Sequence, residues 1–235
     1  MRIAVWSGPR NLSTALMYAF GNRPDMQAVD EPFYGAFLNE TGIDHPMAAE
    51  VLAKMELDPA RVVAGLRRYP TPYQYEKHMA HHMVAGMPLG WLSDARLRHV
   101  VLLRHPARVL ASYLAKREAP SAYDLGFQPI YDIYQRLDAP IVIDTGDIRR
   151  APEPALRALC DALSLPFSDA MLAWGAGPKP FDGPWARHWY DAVHRSTGFA
   201  GPEGKLPDVP GEYGRMIAEA VEIYDALAQA KLPVS

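Results

Sequence analysis

The sequence predicts an α/β protein in which helices cover both faces of a parallel sheet. Short, strongly apolar runs alternate with segments whose apolar residues recur at helical spacing. Strands that alternate with helices in this way form parallel sheets, and such sheets are buried on both faces. At 235 residues, the chain is long enough to form one domain with its own core. We therefore expect a three-layer single domain over residues 1–235.

The strands and helices follow one another in a regular order. We expect strands over residues 3–7, 27–29, 73–79, 100–103 and 141–143. We expect helices over residues 13–20, 47–54, 81–85, 106–116, 154–163 and 212–229. Residues 166–210 are rich in Gly, Pro and Trp, and we assign them no regular structure. The core thus spans about residues 1–167, with loops over about 168–210 before the C-terminal helix.

The composition limits the classes of partner. The chain carries 24 Lys and Arg against 27 Asp and Glu, a net charge of −3, whereas nucleic-acid binding needs a basic surface. Its single cysteine, Cys160, excludes an internal disulfide and a Cys-rich metal site. No apolar stretch suits a signal peptide or a membrane span. We therefore expect a cytoplasmic protein that binds neither nucleic acid nor a membrane.

The segment between the first strand and the first helix has the composition of an anion-binding loop. Residues 7–14 read Ser-Gly-Pro-Arg-Asn-Leu-Ser-Thr and lead directly into the helix. Free backbone N–H groups and the positive end of the helix dipole point at such a turn. Arg10 adds a planar cation, and Ser13 and Thr14 add hydroxyl donors. A capped helix after a tight turn is the alternative, and the sequence pattern of a Walker A loop is absent.

A second candidate anion site follows the fourth strand. Ligands of parallel sheets bind at the carboxyl ends of the strands. Arg104 leaves the strand there, and Ser112 lies about two turns into the next helix, so both could contact one phosphate. A structural salt bridge and a small residue at a helix contact are the alternative interpretation.

Titratable residues lie at the ends of the second and third strands. Asp30 and Glu31 follow the second strand, and a carboxylate pair beside an anion site could accept a proton or merely cap a loop. Lys77 is a candidate cation facing the site, and its neighbour His78 should then point to the opposite face. Residues 76–82 contain three histidines, but without a cysteine or a second carboxylate cluster we predict no metal site.

In this order and spacing, these segments resemble sulfotransferases that use 3′-phosphoadenosine 5′-phosphosulfate (PAPS), especially the Golgi and bacterial branches with a carboxylate base. Residues 7–14 resemble the 5′-phosphosulfate loop, usually Pro-Lys-Ser-Gly-Thr-Thr, with Arg10 in place of the lysine, Leu12 in place of the glycine, and Ser13 and Thr14 as the hydroxyl pair. Residues 101–113 resemble the 3′-phosphate motif, an Arg at a strand end and a Ser eight positions later. With residues 141–166, which resemble the next strand and helix, the resemblance covers about residues 1–167.

The resemblance implies a P-loop NTPase-like fold and a PAPS-dependent transferase that moves a sulfuryl group to a hydroxyl or amine of a small-molecule acceptor. It implies no metal, and it leaves PAP, the adenosine bisphosphate, as product. The implied catalytic residues are Glu31 as the base, Lys77 and Arg10, and the implied donor-binding residues are Arg10, Asn11, Ser13, Thr14, Arg104, Ser112, Arg195 and Ser196.

Several questions stay open at this level. Nearby cations should lower the pKa of Glu31 and weaken it as a base unless it is desolvated, and His78 is the alternative base. A P-loop kinase with Asp144 on Mg²⁺, or a nucleotide-binding protein without catalysis, is the alternative function. The aromatic residues of the irregular region could line an acceptor pocket or simply pack, and a homodimer is left open. These aromatics are Trp174, Phe181, Trp185, Trp189, Tyr190 and Phe199.

Overall fold

The computed structural model describes residues 1–116 and 119–234 and confirms the predicted α/β class. The described residues form five strands, β1 (Arg2–Ser7), β2 (Met26–Asp30), β3 (Tyr73–Met79), β4 (Leu97–Leu103) and β5 (Ile141–Asp144). All neighbouring strands are parallel, in the order β2-β3-β1-β4-β5. The first strand of the chain, β1, thus lies at the centre, and every strand ends at the same edge of the sheet.

Helices flank this sheet on both faces. In the described part of the chain they are α1 (Ser13–Gly21), α2 (Tyr34–Thr41), α3 (Ala48–Lys54), α4 (Pro59–Leu66), α5 (Pro106–Leu114), α6 (Ala122–Leu125), α7 (Phe127–Tyr134), α8 (Thr145–Arg150), α9 (Pro152–Leu163), α10 (Ala186–Trp189), α11 (Asp191–His194) and α12 (Gly214–Ala228). Single 3₁₀ turns occupy Ala80–His82, Gly90–Ser93, Asp169–Met171 and Gly211–Tyr213. None of the helices described has the length and apolar character needed to cross a bilayer.

The sequence-based assignment of helices differs from the structure in two ways. The helix expected over 81–85 is only the 3₁₀ turn Ala80–His82, because the chain leaves β3 and turns back at once. Helices α2, α4, α6, α7 and α8 were not predicted, and each has eight residues or fewer. The four-residue helices α10 and α11 lie in region 166–210, to which the sequence assigned no regular structure. Among the helices that were not predicted, α4 did carry a start signal, because the Asp58 carboxylate accepts a hydrogen bond from the Ala60 N–H and Pro59 follows it.

The two faces of the sheet carry different kinds of side chain. Phe20 of α1 packs on Tyr75 of β3 with 4.9 Å between the ring centroids, so α1 covers the face on which Lys77 also lies. On the opposite face, Trp91 packs against Trp6 and His78 at 5.9 and 5.3 Å. Residues one apart on β3 therefore belong to different environments, as the strand period requires.

An ion pair is buried on the face opposite α1. The Arg2 Nε donates to the Glu76 Oε1 at 2.5 Å and its Nη2 to the Oε2 at 3.0 Å, and neither side chain is exposed to solvent. The Glu76 carboxylate also accepts one hydrogen bond from the Gln74 amide, at 2.8 Å, and contacts His78. This pair joins β1 to β3 beneath the edge at which the strands end.

We expect Arg2→Leu to lower the free energy of unfolding by about 3–5 kcal/mol, because it leaves the Glu76 carboxylate buried without its cation. Urea denaturation with tryptophan fluorescence measures this loss. Arg215→Leu is the matched control, since Arg215 pairs with Glu219 on the surface of α12 with 93% of its side chain exposed. Equal stability of the two variants would contradict a structural role for the buried pair.

Candidate active site

The loop between β1 and α1 has an unusual backbone. Arg10 and Leu12 adopt left-handed conformations, with φ of 57° and 59°. Leu12 is the residue before α1, and no side chain caps this helix. A left-handed backbone is the conformation that glycine adopts most easily, and glycine is the residue that the resembled loop usually has at this place. In this chain Leu12 adopts it.

The start of α1 presents unpaired donors. Within the part of the chain that the structure describes, the backbone N–H groups of Leu12, Ser13 and Thr14 donate to no acceptor. Asn11 fixes the loop to the sheet, because its amide Nδ2 donates to the Leu102 carbonyl at 2.6 Å. The helix N-terminus thus points a cluster of free N–H groups at one place, which is the geometry of an anion site. Asn11 contributes to it by positioning the loop.

Arg10 lies between two aromatic rings. The centre of its guanidinium is 5.2 Å from the Tyr113 ring centroid and 5.3 Å from that of Trp189. The Arg10 carbonyl accepts a hydrogen bond from the Arg104 Nη1 at 2.6 Å. Arg10 therefore connects the anion loop to α5, to the end of β4 and to the C-terminal part of the chain.

Lys77 and two carboxylates form a buried cluster at the ends of β2 and β3. The Lys77 Nζ lies 3.0 Å from the Asp30 Oδ1 and 2.7 Å from the Glu31 Oε1, and it donates to the Tyr190 hydroxyl. Glu31 turns its side chain back to Lys77 because it adopts a φ of 41°, and its N–H donates to the Lys77 carbonyl at 2.9 Å. An ammonium has three protons, so all the donors of Lys77 are used within this cluster.

The charges in this cluster shift the pKa of both partners. Burial raises the pKa of Glu31, and the charge of Asp30 raises it further, against the opposing effect of Lys77. Burial alone would lower the pKa of Lys77, but the attraction of Asp30 and Glu31 outweighs it and leaves that pKa raised. Glu31 is therefore desolvated, as a carboxylate beside a cation must be to act as an effective base.

Tyr190 and its neighbours complete the cluster from the far end of the chain. The Tyr190 hydroxyl contacts both oxygens of Asp30 at 2.9 and 2.8 Å and accepts from the Trp185 Nε1 at 3.0 Å. The Gly183 N–H donates to the Asp30 Oδ2 at 3.0 Å. Trp174, Trp185 and Tyr190 are buried, and the half-buried Phe181, Trp189 and Phe199 pack against the core. Their density was the only sign in the sequence that they belong to the site.

The histidines next to Lys77 are arranged differently. His78 points to the opposite face, where its Nε2 lies 3.1 Å from the Glu76 Oε2, so it cannot reach the anion loop. His82 is nearer, with its Nε2 3.9 Å from the Glu31 Oε2, and burial holds its pKa well below the usual range. Among residues 1–116 and 119–234, no group of three His, Cys, Asp or Glu side chains could hold a metal ion.

Arg104 lies at the end of β4 and meets a carboxylate. Its Nη2 is paired with Glu203, whose Oε1 is also 2.7 Å from the Arg149 Nη1, and Arg108 is close by. Ser112 is half-buried on α5. Arg195 and Ser196, expected at this place, are engaged elsewhere: Arg195 pairs with Asp191, and the Ser196 hydroxyl donates to the Val193 carbonyl at 2.7 Å. Sequence reasoning missed Arg108, Arg149 and Glu203, because only the fold brings them together.

Asp144, the candidate Mg²⁺ ligand of the alternative function, has both oxygens in use. Its Oδ1 accepts from the Gly146 N–H at 2.6 Å and caps α8. Its Oδ2 accepts from the Tyr224 hydroxyl at 2.6 Å, which fastens α12 to the end of β5. This carboxylate therefore has a structural role.

A comparison with known protein families identifies the family of the chain. The model of the sulfotransferase domain family matches residues 1–231. The chain belongs to the sulfotransferase domain family. The resemblance seen in the sequence is thereby confirmed, and the match extends beyond residue 167 into the region that carries Tyr190 and Glu203.

Two curated relatives from Arabidopsis thaliana match this sulfotransferase domain over nearly its whole length. Branched-chain-amino-acid aminotransferase-like protein 2 is 38% identical over 231 residues, and branched-chain-amino-acid aminotransferase-like protein 1 is 40% identical over 232 residues. These stretches are 96% and 94% of this chain but only 41% and 40% of the relatives. The chain therefore spans about two fifths of the length of the curated relatives it matches.

Solved sulfotransferase structures share the fold at low sequence identity. The sulfotransferase domain of the Synechococcus PCC 7002 olefin synthase aligns with a TM-score of 0.55 at 18% identity, covering 99% of this chain and 96% of that one. The sulfotransferase of Alicyclobacillus acidocaldarius aligns with a TM-score of 0.51 at 14% identity, covering 98% and 96%. These similarities confirm the P-loop-like fold of the sulfotransferase domain.

We expect Lys77→Met to destabilise the sulfotransferase domain by about 3–5 kcal/mol at pH 8, because Glu31 and Asp30 would remain buried without a cation. The loss should shrink towards pH 5. In the variant the folded-state pKa of Glu31 rises further above its unfolded value, so the folded state binds more protons and its stability falls as the pH rises.

Chemical denaturation of both proteins at pH 5 to 8 measures this dependence. Lys54→Met is the control, since Lys54 pairs with Glu50 on the surface with 61% of its side chain exposed. A pH-independent loss in Lys77→Met would contradict the assignment of a buried charge cluster.

Proposed function

We propose that the chain transfers a sulfuryl group from PAPS to a hydroxyl or amine of a small-molecule acceptor. The observation that carries this proposal is a desolvated carboxylate, Glu31, at the sheet edge where the free N–H groups of α1 lie. Two consecutive residues connect the anion loop to the carboxylate cluster, because Trp189 packs on Arg10 and the Tyr190 hydroxyl accepts a hydrogen bond from Lys77. A proton acceptor and an anion site are thereby held at one edge.

The donor PAPS would bind to the residues of the anion loop and to the end of β4. The N–H groups of Leu12, Ser13 and Thr14, with the Ser13 and Thr14 hydroxyls, would hold the 5′-phosphosulfate. Arg104 and Ser112 would hold the 3′-phosphate. This assignment is supported by the pairing of Arg104 with an anionic group, the Glu203 carboxylate.

Proton transfer falls to Glu31. As the acceptor oxygen or nitrogen forms its bond to sulfur, the bond from sulfur to the phosphate oxygen of PAP breaks, and Glu31 takes the acceptor proton. The pKa of Glu31 is raised by burial, which brings it towards the range in which a carboxylate is an effective base. Arg10 and the N–H groups of α1 would stabilise the negative charge that develops on the leaving group.

Lys77 acts in this proposal as the residue that positions Glu31. Its three protons are directed to Asp30, Glu31 and Tyr190, so in this arrangement it has none left for the transferred group. Its charge still acts on the site from within the cluster. The acceptor would approach Glu31 beside Trp189, which is half-buried. The one cysteine, Cys160, is buried and free, which suits the reducing cytoplasm we propose as the compartment.

A P-loop kinase would need Asp144 for Mg²⁺, and both oxygens of Asp144 already accept hydrogen bonds within the protein. PAP and Mg·ATP therefore make a direct test of the donor. At about 100 times its dissociation constant, PAP should raise the melting temperature by about 5–11 °C, and Mg·ATP should raise it little. Arg104→Ala should lose most of the PAP shift, whereas Arg98→Ala, an exposed arginine on the same strand, should keep it.

A shift with Mg·ATP alone would replace the sulfotransfer proposal by the kinase function. An equal loss of the shift in both arginine variants would remove the assignment of Arg104 to the 3′-phosphate.

We expect Glu31→Gln to abolish sulfuryl transfer while leaving the affinity for PAP within about twofold, since the amide keeps the shape but cannot take a proton. Single-turnover transfer of ³⁵S from labelled PAPS to an accepted substrate measures the first quantity, and calorimetric titration with PAP the second. Glu40→Gln, an exposed residue of α2, is the control. Retained turnover in Glu31→Gln would place the base elsewhere.

A further inference from the structure

Three arginines from separate elements converge on one carboxylate. Arg104 follows β4, Arg108 lies on α5 and Arg149 lies on α8. Arg104 Nη2 and Arg149 Nη1 both donate to the Glu203 Oε1, the latter at 2.7 Å, and the Arg108 Nε lies 3.4 Å from the Oε2. Between 17% and 21% of each arginine side chain is exposed, against 7% for Glu203. Glu203 is thus the most buried member of the group.

The segment that carries Glu203 is attached to the protein mainly through these arginines. The Arg149 Nε donates to the Gly201 carbonyl at 2.9 Å, and the Arg108 Nη2 donates to the carbonyls of Glu203 and Gly204 at 3.1 and 2.5 Å. The other residues of 201–206 are exposed, so hardly any apolar surface anchors the segment. An anion that takes the arginines would therefore release it at little hydrophobic cost.

Glu203 does not neutralise the charge of the three arginines completely. Burial would raise the pKa of Glu203, but its hydrogen bond to Arg104 and the charges of the three arginines lower it, so the group is ionised. Three positive charges face this single negative one. Its Oε2 is buried and accepts no hydrogen bond from any described residue. A phosphate monoester carries more charge and three terminal oxygens, so it matches three arginines better than a carboxylate does.

There is also room next to the cluster. An open cleft of about 290 Å³ is lined by Glu203, by the cations Arg108, Arg150 and Lys231, and by the carboxylates Asp144 and Asp147. Asp147 pairs with Arg150 and Lys231, and both oxygens of Asp144 accept hydrogen bonds. Withdrawal of Glu203 would join the arginine cluster to this cleft.

We propose that Glu203 is an internal competitor for the phosphate site, which it fills in the free protein and leaves when a phosphate monoester binds to Arg104, Arg108 and Arg149. This inference rests on the proposed function, because it takes the 3′-phosphate of PAPS as that monoester. It adds Arg108 and Arg149 to the phosphate-binding residues. It also makes Glu203 a determinant of specificity, since a nucleotide without a 3′-phosphate has nothing with which to displace it.

The test compares calorimetric titrations of the wild type, Glu203→Gln and Asp208→Asn with PAP and with inorganic phosphate. Asp208 is an exposed carboxylate five residues further along, so its variant controls for the change in net charge. Removing the competitor should tighten the binding of both ligands to Glu203→Gln by about tenfold or more, as expected when the binding-competent form becomes dominant. Asp208→Asn should bind both ligands as the wild type does. Glu203→Asp, which keeps the charge on a shorter side chain, should fall between the two and serves if the glutamine variant folds poorly.

The outcomes separate this inference from the proposed function. Tighter binding of both ligands, with PAP bound far more strongly than phosphate, supports the two together. Tighter binding without preference for PAP supports displacement of Glu203 and removes PAPS as the donor. Unchanged or weaker binding of both ligands in Glu203→Gln and Glu203→Asp overturns the role of Glu203, whatever the affinity of the wild type for PAP.

Discussion

The buried ammonium of Lys77 is the constraint on which the site depends. A charge so far from water is stable only when it is paired and fully hydrogen-bonded. The partners come from the end of β2, as Asp30 and Glu31, and from the C-terminal region, as Tyr190. One charge thus forces two distant parts of the chain to meet at the sheet edge. The irregular region 166–210 is held over the sheet by polar contacts as well as by aromatic packing.

The same edge concentrates backbone strain. Arg10, Leu12 and Glu31 all adopt positive φ, which costs of order 1–3 kcal/mol for a residue other than glycine. Each strained residue is held by hydrogen bonds in or next to it: Arg104 to the Arg10 carbonyl, Asn11 to the Leu102 carbonyl and the Glu31 N–H to the Lys77 carbonyl. The strained residues are those that position the N–H groups of α1 and the Glu31 carboxylate. The strands and helices that the structure describes around the edge have no such strain.

Local patterns in the sequence predicted the parallel sheet and placed Glu31 and Lys77 at the ends of the second and third strands, because each of these features depends on a strand and the residues that follow it. They could not predict Tyr190 or Glu203, which reach their partners from 113 and 99 residues away. The sequence around Arg195 and Ser196 does not show whether they or Glu203 lie next to Arg104. The path of the loop after α11 decides which residues reach Arg104, and no periodic pattern or motif in the sequence predicts that path.

Two glutamates in this structure lie beside cations and have pKa values shifted in opposite directions. At Glu31 burial prevails over Lys77, whose charge is shared with Asp30, and the pKa is raised. At Glu203 the arginines prevail over burial, and the pKa is lowered. A carboxylate with a raised pKa can exchange a proton, whereas one with a lowered pKa remains an anion and can stand in for a phosphate. The two clusters differ in their ratio of cations to carboxylates, one to two at Lys77 and three to one at Glu203. This difference acts together with burial, and it supports the base that we propose at Glu31 and the anionic competitor that we propose at Glu203.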